Sequence, residues 1–332
     1  MMKQGSGQFW RVWILLLAIL SVTVLISSCT GRYAVRWQEL VSFLQGQESM
    51  GGSLFFCIRL PRIVFVILSG AVLALAGTVY QSLFQNPLVS PDILGVTSGC
   101  SLGAAIAIVF FSAQAWLVQG FAFLFGLLAV ALSLAVARVA GGDKTLRYVV
   151  SGIITGAMAS SFLMLLKYLA DPYKQLPAID FWLMGGFHNV GWEDIFKTLP
   201  TMLLASGVLL LLGWKLKVMS TGEQEASLLG VNTKAVRLVV ILCATLLVGA
   251  VVSVAGAVGW IGIFVPHIVK LIWRDDIPRT MPLSLVTGGA ILLGADTLAR
   301  TLRSSEIPIS IVTSMIGALF LIYFFTRKKK PL

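Results

Sequence analysis

The side chains best suited to binding chemistry are arginines in two similar settings. Arg59 and Arg62 flank Pro61, and Arg300 and Arg303 repeat the three-residue spacing near the other end of the chain. Residues three apart lie on one side of a helix, and a guanidinium group can bind a carboxylate through two parallel hydrogen bonds. Each pair can therefore dock an acidic partner, although arginines that only anchor a helix at a lipid surface show the same pattern.

A second polar segment, Asn86-Pro87-Leu88, follows a long apolar run. Proline ends a helix, and asparagine beside it is an ordinary turn former. The functional alternative is that this segment forms a constriction that closes a pathway.

A third polar segment covers residues 220–231. Its sequence predicts a short helix that Thr221 caps, that Glu223 and Glu225 begin and that Gly230 ends. A short amphipathic helix of this kind is either a lever for a partner protein or a plain surface helix.

Signatures of catalysis and metal binding do not occur in the sequence. There is no G-x-x-x-x-G-K-[ST] nucleotide-binding loop, no H-E-x-x-H and no G-x-S-x-G. The four cysteines and two histidines show no ligand spacing, so we expect no metal site and no cofactor. Asp296 is the main carboxylate within an apolar run, and it can pair with Arg300 four residues on. The chain is predicted not to be an enzyme.

Helices that cross a membrane must position these segments. Of the 332 residues, 58% are hydrophobic and 12% are charged, against about 25% charged in soluble domains. A run of roughly 20 apolar residues spans a bilayer, and continuous rather than alternating runs indicate helices. We predict an all-α, polytopic fold in a single transmembrane domain, residues 1–332. The ten predicted spans, of which the eighth is short, lie near 12–28, 62–84, 93–111, 116–137, 148–170, 195–213, 236–256, 259–273, 281–300 and 307–326.

The distribution of lysine and arginine predicts the orientation of these spans. With ten spans both termini share one side, which holds 16 of these residues against nine on the other. Since cytoplasmic loops carry the excess, both termini are predicted to be cytoplasmic. The arginine pairs then lie outside, where arginine is disfavoured, and this favours docking over anchoring. The net charge of +11 indicates topology and attraction to anionic membrane lipid rather than nucleic-acid binding.

The first apolar run resembles a secretory signal, with Lys3 and Arg11 before it and Cys29 at its end. Because further spans follow at once, we interpret it as an uncleaved first helix. Cys29 and Cys57 both fall near the outer surface, where they can either pair or serve as small packing residues.

A sequence echo links two parts of the chain. Residues 68–79 and 247–258 share a small-residue pattern, and Pro87 and Pro266 keep the same offset of 179 residues. The echo indicates either chance similarity between small-residue helices or duplication of a several-helix unit, which transporters use to build a pathway.

Short motifs follow one another along nearly the whole chain. They are Arg59-Leu60-Pro61-Arg62, Asn86-Pro87-Leu88, Ile93-Leu94-Gly95-Val96, Phe181-Trp182-Leu183-Met184-Gly185-Gly186, Leu229-Gly230-Val231-Asn232, Val254-Ala255-Gly256, Gly262-Ile263-Phe264-Val265-Pro266-His267, Ala295-Asp296 with Arg300, and Ile307-Pro308-Ile309. Together and in this order, they resemble the permease family of type II ABC importers for iron–siderophore complexes, haem and vitamin B12. The family's repeats are inverted, which agrees with the echo.

The resemblance implies a homodimer in the bacterial cytoplasmic (inner) membrane. Two ATP-binding-cassette ATPase subunits would bind inside, and a periplasmic or lipid-anchored binding protein would dock outside on Arg59, Arg62 and Arg300, with Arg303 beside them. Asn86, Pro87 and Leu88 would belong to the cytoplasmic gate. ATPase coupling is implied for Thr221, Gly222, Glu223, Glu225, Ala226, Leu229 and Gly230. The translocation path is implied for Ser151, Thr155, Ser160, Ser161, Ser310 and Ser314, whose hydroxyls can equally bond carbonyls of their own helices.

These observations predict the permease of an ATP-driven importer of a metal chelate, with iron–siderophore as the cargo because it is the commonest in the family. Haem, cobalamin and molybdate-like oxyanion importers share the same features. The duplicated unit also permits a secondary transporter, but the spans carry no midplane relay of acidic residues or histidine. An integral-membrane enzyme would need clustered polar residues at one interface, which the sequence does not show.

Overall fold

Helices make up the regular structure of this computed structural model, which describes residues 6–31, 33–111, 114–141, 144–273, 276–302 and 305–327 and shows no strand among them. In chain order they are α1 (Ser6–Cys29), α2 (Trp37–Leu44), α3 (Met50–Ser53), a π-helical turn (Leu54–Arg59), α4 (Leu60–Leu83), α5 (Val96–Phe110), α6 (Ala115–Val139), α7 (Lys144–Leu169), α8 (Gln175–Met184), α9 (Trp192–Leu211), α10 (Gly213–Met219), α11 (Glu223–Leu228), α12 (Thr233–Ala255), α13 (Ile261–Ile272), α14 (Ile277–Thr301) and α15 (Ile309–Arg327).

The number of apolar helices agrees with the predicted spans. Within the described ranges, 7 helices are long and apolar enough to cross a membrane, and three shorter apolar helices, in α5, α13 and α15, fall on the third, eighth and tenth predicted spans. The prediction of an all-α, polytopic fold is therefore confirmed. No sequence pattern predicted the short helices α2, α3 and α8, which lie between the predicted spans.

Contacts between helix ends show which ends lie on the same face of the helix bundle. The end of α4 meets the end of α10 where Gln85 binds the Met219 carbonyl, and Lys217 pairs with Asp276 before α14. These contacts gather on the face that the charge distribution predicts to be cytoplasmic. We call this face the inner end and the opposite face the outer end.

Helices α4 and α14 form the centre of the subunit. Gly70 and Gly288 face each other so closely that a Cβ on either would clash with the other's carbonyl. Close backbone approach compensates for the lack of a hydrophobic drive between helices in lipid. Thr78 donates a hydrogen bond to Ser284 at 2.8 Å in the same buried interface. The α4–α14 pair is thus a closely packed frame, and the segments singled out in the sequence lie at both of its ends.

The link between α12 and α13 is not helical, and it includes the end of the second segment of the sequence echo, residues 247–258. Residues 77–79 continue the helix in α4, whereas the corresponding residues 256–258 are not helical, because α12 ends at Ala255 and Gly256 has φ of 67°. The offset of 179 residues thus pairs helix with helix over residues 68–76 and 247–255, and pairs helix with the non-helical link beyond them. The mismatch arises because small residues serve helix packing in α4 and a chain reversal after α12. Duplication of a several-helix unit stays a prediction.

Proline inside α13 leaves a carbonyl that another helix satisfies. Pro266 has no N–H for the Gly262 carbonyl, which lies 3.5 Å from Gln81 Nε2. The same Nε2 donates to the Ile263 carbonyl at 3.0 Å. His267, predicted to be a hydrogen-bonding group, contacts the Ile263 carbonyl through Nδ1 at 2.8 Å.

Candidate functional site

The outer end of the α4–α14 frame carries a cluster of buried charges. Arg62 binds Asp296 at 2.8 Å and Glu306 at 2.9 Å, and the side chains of Arg62 and Asp296 are 11% and 2% exposed. Arg300 is also close to Asp296, at 3.8 Å, with a side chain that is 9% exposed. The predicted pairing of Asp296 with Arg300 is therefore secondary to a pair with Arg62, which lies 234 residues away in sequence.

Two arginines of the cluster cap the end of α1. Arg59 donates to the carbonyls of Ser28 at 2.7 Å and Tyr33 at 3.1 Å. Arg300 donates to the Thr30 carbonyl at 2.8 Å and to both the carbonyl and the hydroxyl of Ser27. The last carbonyls of a helix have no partner within it, and cations at this end are favourable. The cluster, Arg59, Arg62, Asp296, Arg300 and Glu306, thus ties α1 to the frame, and we call it the outer charge cluster.

The backbone before Arg62 departs from a regular α-helix. Pro61 lies in the first turn of α4, and the continuous helical run that contains it begins earlier, at Met50. The last turn before Pro61 is π-helical, and the Leu60 N–H binds the Phe55 carbonyl. Proline cannot donate and crowds the preceding turn, so the wider turn accommodates it.

The orientation of the arginines differs from the prediction. The guanidinium groups of Arg62 and Arg300 do not point freely outward, because the buried carboxylate of Asp296 attracts both. Docking of a partner on Arg59, Arg62 and Arg300 stays a prediction. Arg303 lies outside the described residues.

A cavity of about 310 Å³ adjoins the outer charge cluster, and His188 lies beside Arg62, Asp296 and Glu306 along its wall. Burial lowers the pKa of His188, and the neighbouring Glu306 opposes this shift. The lowered pKa favours a neutral imidazole near a face that already holds three arginines.

The inner end carries the predicted coupling helix, α11. Gly222, not Thr221, is its N-cap, because the Thr221 hydroxyl donates to the Val218 carbonyl at 2.8 Å instead. The prediction that acidic residues begin the helix and that Gly230 ends it is confirmed, since Glu223 and Glu225 occupy the first turn and Gly230 has φ of 80°.

The end of α11 has a well-defined stop. The Val231 N–H binds the Ala226 carbonyl and the Gly230 N–H binds the Ser227 carbonyl, both at 3.0 Å, which is a Schellman motif. Ala226 is fully buried against the subunit. Leu228 and Leu229 are 89% and 65% exposed, so this turn presents two large apolar side chains away from its own chain.

An ion pair holds the start of α11. Arg237 of α12 binds Glu223 and lies over the ring of Tyr148 of α7, with 5.6 Å between the guanidinium carbon and the ring centroid. This contact links the coupling helix to two membrane-spanning helices.

The predicted gate segment lies directly beside the coupling segment. Asn86 accepts a hydrogen bond from the Leu88 N–H at 2.9 Å, so the segment is a compact turn, and Leu88 is 52% exposed. Gln85, whose contact no sequence pattern predicts, donates from Nε2 to the Met219 carbonyl at 3.2 Å. Further along the loop, burial raises the pKa of Asp92, although its bond from the Thr97 N–H lowers it.

The predicted path residues occupy different environments. Ser151 and Thr155 are buried, and Ser151 shares a hydrogen bond of 3.1 Å with Ser133 of α6. Ser161 is exposed and donates to the Ala157 carbonyl of its own helix, whereas Ser310 donates to the Met184 carbonyl of α8 at 2.6 Å. Ser160 and Ser314 are partly exposed. The structure thus does not gather these hydroxyls, and their role stays a prediction.

Cys29 and Cys57 are both free and exposed. The pairing left open by their outer position is therefore not formed in this structure. Nor does any group of three or more His, Cys, Asp or Glu side chains with metal-ligand geometry occur in the part of the chain described above.

Comparison with known proteins gives matches along nearly the whole chain. The model of the FecCD transport family matches residues 19–327. The chain is 35% identical to the molybdate import system permease MolB of Haemophilus influenzae, over 90% of each chain. It is 32% identical to a probable iron chelatin transport permease of Helicobacter pylori, over 94% of this chain and 96% of the relative. The vitamin B12 import permease BtuC of Klebsiella pneumoniae is also 32% identical, over 99% and 96%.

A solved structure shares both fold and sequence. It is an ABC transporter of metal-chelate type in an inward-facing conformation, with a TM-score of 0.86 and 34% identity over 95% of this chain and 99% of the other.

Proposed function

The chain belongs to the FecCD transport family, and from this premise we propose that it is the membrane-spanning permease subunit of a type II ABC importer that carries a metal chelate, iron–siderophore, into the cytoplasm. The observation that carries the proposal is the match to this family over residues 19–327, together with the same fold in a metal-chelate type transporter. A match of this extent covers almost the whole chain and does not depend on a single motif.

The inner end supports a contact with an ATPase subunit. Leu228 and Leu229 stand out from a short helix whose start and stop are both fixed, so the pair can enter a groove of a partner without rearrangement of α11. ATP hydrolysis would take place on that partner, because this sequence has no P-loop. Two ATPase subunits would bind a homodimer of this chain in the bacterial inner membrane.

The outer end supports docking of a binding protein. Three arginines and two carboxylates leave the outer charge cluster positive, which complements acidic side chains on a partner. Carboxylates of the binding protein would compete with the carbonyls of α1 for Arg59 and Arg300.

The choice of iron–siderophore rests on the resemblance, because it is the commonest cargo of the family. The second candidate cargo is a molybdate-like oxyanion, which the 35% identical relative favours, and haem and cobalamin remain further alternatives.

Uptake measurements test this proposal. Cells that lack the permease and cells in which it is restored would be given radiolabelled ferric siderophore, haem, cobalamin and molybdate in parallel. Ferric siderophore uptake that disappears with the permease and returns with it is expected. Loss of molybdate uptake alone would show that molybdate, and not ferric siderophore, is the cargo. Unchanged uptake of all four compounds would contradict the proposed importer. Uptake that is insensitive to ATP depletion but is abolished by an uncoupler would contradict it as well.

A further inference from the structure

The turn between α4 and the gate segment has a backbone conformation that its residue type disfavours. Gln85 has φ of 48°, and Trp260 is the other non-glycine residue with positive φ among those described. Phe84 is the C-cap of α4, so Gln85 stands at the next position, where glycine is usual. The Asn86 N–H closes the turn on the Gln81 carbonyl at 3.2 Å. A side chain here destabilises the turn relative to glycine, because the left-handed region crowds Cβ.

The side chain of Gln85 crosses to the segment that precedes the coupling helix. Nε2 donates to the Met219 carbonyl at 3.2 Å and lies 3.5 Å from the Ser220 carbonyl. Met219 ends α10 and α11 begins at Glu223, so only the short linker 220–222 separates this contact from the coupling helix.

Gln85 is also continuous with the gate. It directly precedes Asn86, whose side chain accepts a hydrogen bond from the Leu88 N–H and so holds the gate segment in one compact turn. A shift of the Met219 carbonyl would therefore pull on the residue that sets the direction of the gate segment.

Space on both sides permits such a shift. One cavity of about 590 Å³ is lined by Gln85, Met219 and Glu223, and another of about 400 Å³ by Gln85, Asn86 and Ser220. The bridge thus stands between two open volumes rather than inside packed core.

We propose that Gln85 is a positioning residue that transmits movement of α11 to the gate segment, Asn86-Pro87-Leu88. The inference rests on the proposed function, because it assumes that a partner moves α11. Its physical basis is the combination of a strained backbone and a directed side chain. Glycine would suit the turn better but would lack the side chain. The hydrogen bond from the Gln85 side chain to the Met219 carbonyl of α10 is therefore what the strained residue provides.

The test uses the permease assembled with its ATPase in lipid vesicles. Cys29 and Cys57 are replaced by serine, Leu88→Cys reports gate access, and the rate of maleimide labelling is compared with and without ATP. Gln85→Gly relieves the backbone and removes the bridge. We expect assembly and ATP hydrolysis to persist, while the ATP-dependent change in labelling falls about threefold to tenfold, the scale of one hydrogen bond.

Two further variants separate transmission from folding. Gln85→Arg keeps N–H donors and is expected to retain most of the ATP-dependent change. Gln175→Ala removes two bonds at the outer end, from Nε2 to the Val109 carbonyl and from the Asp171 N–H to Oε1, both at 3.0 Å, and is expected to leave the change intact.

Each outcome decides a claim. An unchanged labelling response in Gln85→Gly, or an equal loss in Gln175→Ala, overturns the role of Gln85 alone. A wild-type permease that binds no ATPase and shows no response to ATP overturns the proposed function and this inference with it.

Discussion

The outer and inner ends of the subunit are held together by different chemistry. At the outer end, buried charges bind one another and cap α1, with Arg62, Asp296 and Arg300 each 11% exposed or less. At the inner end, the gate and the coupling segment meet through the neutral amide of Gln85, between two cavities. Removal of one member of a buried charge group is costly, whereas one neutral hydrogen bond contributes about 1 kcal/mol.

This difference predicts that the contact between the gate and the coupling segment breaks more easily than the outer charge cluster. The buried charges keep α1, α4 and α14 in register. The ion pair of Arg237 with Glu223 holds the start of α11, so a partner would move α11 as a unit against the single neutral hydrogen bond of Gln85. The variants below test this contrast.

The largest effect is expected for Asp296→Asn. The change leaves Arg62 and Arg300 buried without their shared carboxylate, so the free energy of unfolding should fall by about 3–5 kcal/mol. Thermal unfolding of the purified protein measures it. Asp276→Asn, which breaks the more exposed pairs with Lys217 and Arg279, should cost at most about 1 kcal/mol. Equal losses for the two variants would contradict the contrast between the ends.

Arg59→Glu should abolish stimulation of ATP hydrolysis by the binding protein. Charge reversal would replace attraction by repulsion and weaken docking by about 2–4 kcal/mol, while basal hydrolysis persists. Lys197→Glu is the control, because Lys197 is an exposed outer cation that pairs with Glu193. Stimulation that survives Arg59→Glu, or is lost equally in the control, would remove the docking assignment.

Leu228→Ala should weaken binding of the ATPase by about 1–3 kcal/mol, since an apolar side chain that is 89% exposed can contribute to an interface but hardly to its own fold. Recovery of the ATPase with the purified permease measures the effect. Leu211→Ala truncates a leucine that is 84% exposed at the inner end of α9 and should change little. If both variants recover the ATPase equally, Leu228 is not part of the interface.

The smallest effect is expected for Gly230→Ala. The left-handed conformation at Gly230 should make alanine cost about 1 kcal/mol of unfolding free energy. Gly207→Ala is the matched control, because Gly207 lies inside α9 with open space around its Cα and should become neutral or slightly more stable. A Gly230→Ala variant as stable as the Gly207→Ala control would show that α11 does not need this stop.

Several features were predictable because they depend on local sequence. Apolar runs gave the crossing helices, and Gly230 with Glu223 and Glu225 gave the limits of α11 within one residue. The cap of α11 was wrong because a hydroxyl can turn back to its own preceding helix, as Thr221 does. The free cysteines could not be predicted from the sequence, since small residues near the outer surface fit pairing and packing equally well.

The amino-acid sequence by itself determined that this chain crosses a membrane repeatedly as helices and to which family it belongs, because apolar length and ordered motifs are properties of the linear chain. Only the tertiary structure decided that Asp296 pairs with Arg62 rather than mainly with Arg300 and that Gln85 joins the gate to the coupling segment. These contacts join residues more than 130 positions apart, and the packing of α4 against α14 and α10 brings them within reach.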